Sequence, residues 1–271
     1  MRDVVVIGGG LSGLVAAYEL EKRGVQYTLI EVKNRLGGSI ASVESNGFIF
    51  DSAPMCHQVN DMAFLESYLA DLGLKDATFT TDEGLVVFHQ GTQVFIDALQ
   101  ARITAPIMYR MAVSTLGMLD AERFAICMEN GMLLDANALI VAAPARHAER
   151  MFYTLVPEIA LRLLDYTYDD VARLSLGYKT AVLGAIQRGG RYILQKTIHP
   201  TEPLHDLAGV VASHQARWTE SDLIMPPDHL ENMQAIQAMM PAGVALIGSD
   251  YVQQPPRLDE RIQQGLNALT T

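Results

Sequence analysis

The chain has 271 residues, 49% of them hydrophobic, enough for one large domain or two interleaved smaller ones. A formal net charge of −11 argues against a nucleic-acid partner, because phosphate recognition rests on Lys and Arg clusters, and no run of five like charges makes a basic arm or acidic tail. Two cysteines, Cys56 and Cys127, cannot form the disulfide framework of a small secreted domain, and no uncharged apolar stretch approaches the roughly 18 residues of a transmembrane helix.

The elements follow in chain order. Asp3–Ile7 (DVVVI) is a β-branched run suited to a strand buried on both faces. A glycine turn leads into LVAAYELEKR, which has helical periodicity, and Gly24 stands where a C-cap glycine would. VQYTLI is the next strand, completing a β–turn–α–β unit of about 30 residues. Further on, 60–73 reads as an amphipathic helix, GLVVFH as a strand and TQVFIDALQARI as a helix. YRMAVSTL and FAICMENGMLLDANALIVAAP read as three strands with a turn at ENG, the last stopping at Pro144. Pro157 opens a helix expected to run to 170, with Asp169 and Asp170 as a solvated pair at its end. RLSLGYKTAVLGAI, RYILQK and LAGVVASHQ read as antiparallel strands, LENMQAIQAMM as a helix, GVALIG as a buried strand and LDERIQQGLNAL as a closing helix. With no three-part leader at its start, the chain is expected to be cytoplasmic.

Gly8, Gly10 and Gly13 give G-x-G-x-x-G between the first strand and the first helix. The first glycine permits a tight turn, the second lets backbone N–H groups approach a pyrophosphate, and the third lets helix and strand pack closely. Glu31, ending the second strand, is placed to bond ribose hydroxyls and to repel a 2′-phosphate. A second pair, Gly37–Gly38, follows six residues later. It is either an ordinary turn or a further close approach for a larger dinucleotide, and at this distance from Glu31 it favours FAD, with Arg35 beside the same phosphates.

The stretch VVVIGGGLSGLVAAYELEKRGVQYTLIEVKNRLGGSIAS resembles the N-terminus of flavin amine oxidases, phytoene desaturases and protoporphyrinogen oxidases. Their glycine pair is often followed by Arg; here it is followed by Ser39. MAVSTL is similar to the family's strand whose valine backbone faces adenine, which corresponds to Val113, and NGMLLDANALIVAAP matches the strand pair ending near Ala143. MPAGVALIGSDYVQQPPRLDERIQQGLNAL resembles the C-terminal flavin segment, where Gly248, Ser249 and Asp250 would face the ribityl chain. Leu258, Asp259, Glu260 and Ile262 would then open a helix aimed at the flavin's pyrimidine edge, although QQPPR departs from the glycine-rich loop usual there. The resemblance implies an α/β fold: a Rossmann-like FAD-binding domain with a mostly parallel sheet, beside a reduced antiparallel-sheet domain on the substrate side. The boundaries expected are 1–58, 88–148 and 240–271 for the first, and 59–87 and 149–239 for the second.

FAD would lie along Gly8, Gly10, Leu11, Ser12 and Gly13, then Glu31, Val32, Arg35, Gly37, Gly38 and Ser39, with Val113, Ala143 and the C-terminal group. The helical insertion common in relatives is missing or reduced to a few residues between 73 and 92, which makes a large tetrapyrrole a doubtful substrate and leaves a small molecule. DSAPMCHQ occupies the stretch that passes the flavin ring in the family, so Ala53, Pro54 and Met55 are expected to line it, as is Trp218. His57 is an acid–base candidate or else a surface residue, and Lys179 either the lysine that holds a water near the flavin or an exposed strand residue. His199, His205 and His214 read as surface histidines; no metal pair, no G-x-S-x-G and no cysteine–histidine nucleophile is present. The resemblance implies hydride transfer from an activated C–H to flavin as the expected reaction. The alternatives are a flavin-binding accessory protein without turnover and an NAD-binding dehydrogenase.

Overall fold

In a computed structural model, residues 2–202, 207–252 and 255–268 are described. The elements are β1 (Arg2–Ile7), α1 (Leu11–Lys22), β2 (Tyr27–Glu31), β3 (Ser42–Ser45), β4 (Phe48–Asp51), α2 (Met62–Asp71), β5 (Thr78–Thr80), β6 (Val86–Phe88) and α3 (Gln93–Gln100). They continue as β7 (Ile107–Tyr109), β8 (Val113–Met118), β9 (Phe124–Met128), β10 (Leu133–Val141), α4 (Ala145–Phe152), α5 (Pro157–Leu163), β11 (Thr167–Tyr178), β12 (Ile186–Arg188) and β13 (Arg191–Ile198). The last are β14 (Val210–Ile224), α6 (His229–Met239), β15 (Val244–Leu246), a single 3-10 turn at Ser249–Tyr251, and α7 (Leu258–Asn267).

The chain forms two compact units, one of residues 1–38, 99–167 and 224–271, the other of 39–98 and 168–223. Residues 39–58 and 88–98, expected with the nucleotide-binding part, pack in the second unit; 149–167 and 224–239 pack in the first.

The first unit is built on a sheet of order β7-β2-β1-β10-β9-β8, with β15 also paired to β10. β7, β2, β1, β10 and β15 are parallel, whereas β8, β9 and β10 form an antiparallel meander. Val5, Val6 and Leu29 are fully buried, as continuous apolar runs in a parallel sheet covered on both faces should be. α1 is buried from Leu11 through Leu20, on every side of the helix, with Ser12 and Glu19 as its buried polar members. The loop before β7 is tied to α1 by Glu21, whose carboxylate accepts from the backbone N–H groups of Thr104 and Ala105 and from the Tyr27 hydroxyl.

The second unit holds a four-stranded sheet of order β12-β13-β11-β14 and the hairpins β3–β4 and β5–β6. Phe48, Phe50, Met55, Val87, Ile193 and Ala212 form its core, at roughly 1.5–3 kcal/mol per large buried side chain. Gly177 makes room for Phe48: a Cβ there would come within 2.7 Å of the ring. Asp51 and Arg188, both buried, pair at 2.7 Å. Asp51 also accepts from the Ser42 hydroxyl and the Thr92 N–H, and Arg188 donates to the Ile49 carbonyl at 2.8 Å.

Three expectations need correction. The helix from Pro157 ends at Leu163, and β11 has begun by Thr167, so Asp169 and Asp170 lie on a strand, Asp169 exposed. The buried Tyr166 breaks the helix, since its hydroxyl is drawn to His229 on α6 at 3.1 Å. Lys179 follows β11 in an exposed bend and is not a strand residue. YRMAVSTL is interrupted: Arg110, at φ +56°, separates β7 from β8. The β3–β4 hairpin, β5 and α4 were not anticipated. The β3–β4 hairpin turns on Asn46–Gly47, both at positive φ, the two-residue turn that Asn-Gly signals. α4 follows directly on Pro144.

Two outcomes follow from these contacts. Arg188→Met leaves Asp51 charged and buried; we expect it to cost roughly 3–5 kcal/mol in urea unfolding, and a variant as stable as the parent would contradict the pair's role. Burial raises the Glu21 pKa, but the donors from Thr104, Ala105 and Tyr27 outweigh it and hold the carboxyl below its ordinary value. A lowered folded pKa gives stability that is present above the unfolded value and lost as pH falls through the folded one. Glu21→Gln should therefore flatten the loss of melting temperature on acidification below the ordinary carboxylate range, with the parent showing the steeper loss.

Candidate functional site

At the carboxyl ends of the parallel strands the backbone continues in register. Gly8 N donates to Ile30 O at 2.8 Å, Ala142 N to Ile7 O at 2.7 Å and Ile247 N to Val141 O at 2.9 Å. The loops after β2, β1, β10 and β15 are thereby gathered at one edge, where open α/β sheets hold their ligands.

The glycine turn fits its own surroundings at two positions and leaves a third unexplained. Gly8 has φ +107°, and a Cβ there would sit 2.4 Å from Ala142 O. On Gly13 a Cβ would meet Gly8 O at 2.0 Å. Gly10, with φ −72°, suits any residue, and nothing lies within 4 Å of where its Cβ would be. The second pair serves the first: Gly37 N donates to Gly9 O at 2.7 Å, and a Cβ on Gly38 would lie 3.2 Å from Gly10 Cα. The close approach at Gly37–Gly38 is thus made by the protein's own turn, and the pair alone does not distinguish a large dinucleotide from a small one.

Glu31 is buried, with Oε2 accepting from Gly9 N and Oε1 from Lys33 N, each at 2.7 Å. A carboxylate has lone pairs to spare after two such bonds, so ribose hydroxyls remain within its chemistry. Arg35 donates to Leu36 O at 3.0 Å and Gly38 O at 2.9 Å, and Lys33 Nζ reaches the same Gly38 carbonyl at 3.3 Å. Desolvation and then the Arg35 charge push the Lys33 ammonium below its usual pKa, with Glu31 opposing. Val32 is exposed, and Ser39 is the exposed first residue of the second unit. Leu11 and Ser12 are buried, and the Ser12 hydroxyl has no hydrogen-bond partner within the protein. Val113 opens β8 buried; two residues earlier, Met111 N donates to Glu31 O at 3.1 Å.

The C-terminal segment joins this edge. Gly248 N donates to Gln264 Oε1 at 3.0 Å, Gln264 Nε2 to Tyr251 O at 3.1 Å, and the Tyr251 hydroxyl to Ala143 O at 2.8 Å. Asp250 is buried and accepts from Ala145 N at 3.0 Å and the Ser249 hydroxyl at 3.2 Å, so it caps the start of α4. α7 lies on α1 with Gly265 at the crossing, where a Cβ would come within 2.6 Å of Val15. Leu258, Asp259 and Ile262 are buried in α7. Its first turn also carries Glu260, which pairs with Arg257 at 2.8 Å. A helix end furnished with its own carboxylates offers less of its positive dipole to a bound anion. In the QQPPR loop, Gln253 and Gln254 lie outside the described residues, as does His205.

The remaining candidates belong to the second unit. Ala53 and Met55 are buried and Pro54 is exposed. Their loop is fastened by Gln195, which accepts from Met55 N at 2.8 Å and donates to Asp51 O at 2.8 Å and Ala53 O at 3.1 Å. His214 bonds the Ser52 hydroxyl at 3.2 Å, and Trp218 donates to Ser52 O at 3.3 Å. His57 is buried edge-on to Phe88, with Nε2 3.0 Å from Thr92 Oγ1. It is not the surface residue its sequence allowed. Burial pushes the Cys56 thiol up. His199 is exposed and bonded to Thr201 at 2.7 Å. Sequence reading missed Gln195, Tyr251 and Gln264, whose partners lie far along the chain. Among the described residues no group of three His, Cys, Asp or Glu is placed to hold a metal, and no helix is long and apolar enough to cross a membrane.

Residues 6–72 match the NAD(P)-binding Rossmann-like domain. The chain has protoporphyrinogen oxidase and amine oxidase homologues. Protoporphyrinogen oxidase 2 of Arabidopsis thaliana is 43% identical over 79 residues; the match covers 28% of this chain and spans only 15% of the relative's length. In fold the chain is similar to a cofactor-binding redesign of putrescine oxidase (TM-score 0.78, 13% identity, 100% of this chain and 99% of the other). It is also similar to cyclohexylamine oxidase of Brevibacterium oxydans IH-35A (TM-score 0.76, 13% identity, 99% and 98%). The architecture is therefore that of a mixed α/β protein with a Rossmann-like parallel sheet and antiparallel sheets, a neighbour of the FAD-dependent amine oxidase family.

The tightest contact in the site gives a direct check. Gly13→Ala places a methyl against a backbone carbonyl that cannot yield, and we expect about 3 kcal/mol of destabilisation in thermal or urea unfolding. An unchanged midpoint would show that the helix and strand are not packed this closely.

Proposed function

We propose that the chain is an FAD-dependent oxidoreductase of the amine oxidase and protoporphyrinogen oxidase type, acting on a small molecule with an activated C–H bond, such as an amine. The observation that carries this reading is the convergence of remote stretches, 8–13, 31–38, 142–145 and 247–264, on one edge of the first unit's sheet. A dinucleotide longer than a single β–α–β unit accommodates explains why the last segment is fastened there by Tyr251 and Gln264.

The residues present fit FAD. Gly10 leaves open space above the start of α1 with no internal reason for lacking a side chain, and Ser12 offers a buried hydroxyl without a protein partner. Gly8–Gly13 would hold the pyrophosphate at the positive end of α1, Glu31 the ribose, Arg35 the phosphates and Val113 the adenine, while Ala143 and Gly248–Asp250 would run beside the ribityl chain. The chemistry FAD supplies when bound is two-electron redox, taking a hydride from the substrate with dioxygen or another acceptor as the final oxidant. The first unit is then the nucleotide-binding part and the second the substrate side. No general base is assigned, because His57 is engaged by Thr92 within the second unit's interior.

The test is reconstitution of the full chain with FAD. A yellow complex absorbing at about 450 nm is expected. Gly10→Ala should melt with the parent yet bind FAD at least about tenfold more weakly, since its methyl meets only the ligand. A parent that takes up no FAD, or that binds NADH more tightly, overturns the assignment.

A further inference from the structure

The segment after β15 has little structure of its own. Ser249–Tyr251 is a single 3-10 turn, closed by the backbone bond from Tyr251 N to Gly248 O at 3.1 Å. Gly248 enters it at φ +143°, a conformation that residues with a side chain rarely adopt. So short a turn does not keep its shape unaided. Bonds from its surroundings supply the shape: Gln264 holds Gly248 N and Tyr251 O, Ala143 O takes the Tyr251 hydroxyl, and His229 holds Val252 O.

His229 is the first residue of α6 and is buried. Its Nε2 lies 3.0 Å from Val252 O, and its Nδ1 3.1 Å from the hydroxyl of Tyr166, between α5 and β11. A carbonyl only accepts, so Nε2 carries a hydrogen, and Nδ1 takes the one on Tyr166. Burial pushes that phenol up to about 12, so it keeps the proton it donates. Resting on the reading above, we infer that His229 is a positioning residue for the flavin end of the dinucleotide. It holds the Gly248–Val252 turn from α6 through the Val252 carbonyl, and Tyr166 fixes its ring.

Two observations support this. The consecutive carbonyls of Tyr251 and Val252 are held from different helices, the first by Gln264 on α7 and the second by His229 on α6. Both peptide planes are thereby set where the chain leaves the turn, which preorganises the Gly248–Asp250 backbone. In addition, a groove of about 390 Å³ opens between α6 and α7 beside the turn, lined among the described residues by Met233, Gln237, Tyr251, Val252 and Gln264. Packing is thin on that side, and the His229 bond makes the connection to α6.

The test titrates FAD and ADP-ribose against the full chain and three variants, at a temperature where circular dichroism shows each to be folded. ADP-ribose reports on the glycine turn and Glu31; FAD reports on both ends of the site. His229→Phe should weaken FAD about tenfold and leave ADP-ribose unchanged. His229→Gln, whose carboxamide N–H can reach Val252 O, should recover most of the loss. Should His229→Phe not fold, Tyr166→Phe carries the same comparison, with FAD weakened about threefold and ADP-ribose unchanged. Equal losses for the two ligands mark a general structural role and overturn the inference. So does a parent that binds FAD no more tightly than its variants, or a His229→Gln no better than His229→Phe, and in these cases the flavin reading stands. A parent that takes up no FAD removes that reading and the inference together.

Discussion

The carbonyl of Gly8 and the α-carbon of Gly13 come so close that no side chain fits between them, and the geometry of the first unit follows from that approach. α1 starts at once where β1 stops, so its N-terminal N–H groups stand over the strand ends instead of being carried away by a longer loop. Buried from Leu11 through Leu20, the helix has to be covered on its far side, and α7 does this with another missing side chain, at Gly265. The loop after β2 is pinned back on the same turn through Gly37 and Gly38. Glycines at 8, 13, 38 and 265 are therefore used up by the protein's own packing. Gly10, at φ −72° with nothing within 4 Å of where its Cβ would be, takes no part in that packing.

A chain of net charge −11 nonetheless brings Lys33 and Arg35 to one carbonyl, that of Gly38. Glu31 stabilises the turn from within through two backbone N–H groups, a role independent of any ligand. The acid shapes the loop with or without a ligand, so its replacement would disturb the turn as well as any ribose contact. Asp250 is similar: read from sequence as a ribityl contact, it spends its carboxylate on the start of α4. The helix that opens at Leu258 brings Asp259 and Glu260 to its own positive end, which leaves less of its dipole for any bound anion.

What was legible in the sequence was local. β1, α1 and β2 show themselves through an apolar run, a glycine spacing and a terminal acid, all within thirty-odd residues and each reflecting nearest-neighbour physics. The β3–β4 turn is equally local, carried by Asn46–Gly47. The helix from Pro157 was overextended because nothing in residues 164–170 announces that Tyr166 is wanted elsewhere, by His229 some sixty residues on. Gln195, Tyr251 and Gln264 could not be found for the same reason. An amide or phenol that binds a distant backbone carries no periodicity, and its partner becomes known only when the fold brings the two together.

The second unit shows why a histidine in a suggestive motif need not be a reacting group. Its loop 51–55 is gripped by Gln195, His214 and Trp218 through side-chain bonds to four of its residues, and the ion pair of Asp51 with Arg188 closes the network from beneath. Such a network tolerates little rearrangement, because breaking one bond strands a buried polar group at a cost of about 1–3 kcal/mol. His57 hangs on this network through Thr92, whose N–H is itself held by Asp51. For His57 to carry a proton to a substrate it would have to leave Thr92 and Phe88, disturbing the contacts that give the loop its shape. The loop's rigidity and the histidine's burial are one property, and both argue against His57 as a mobile base.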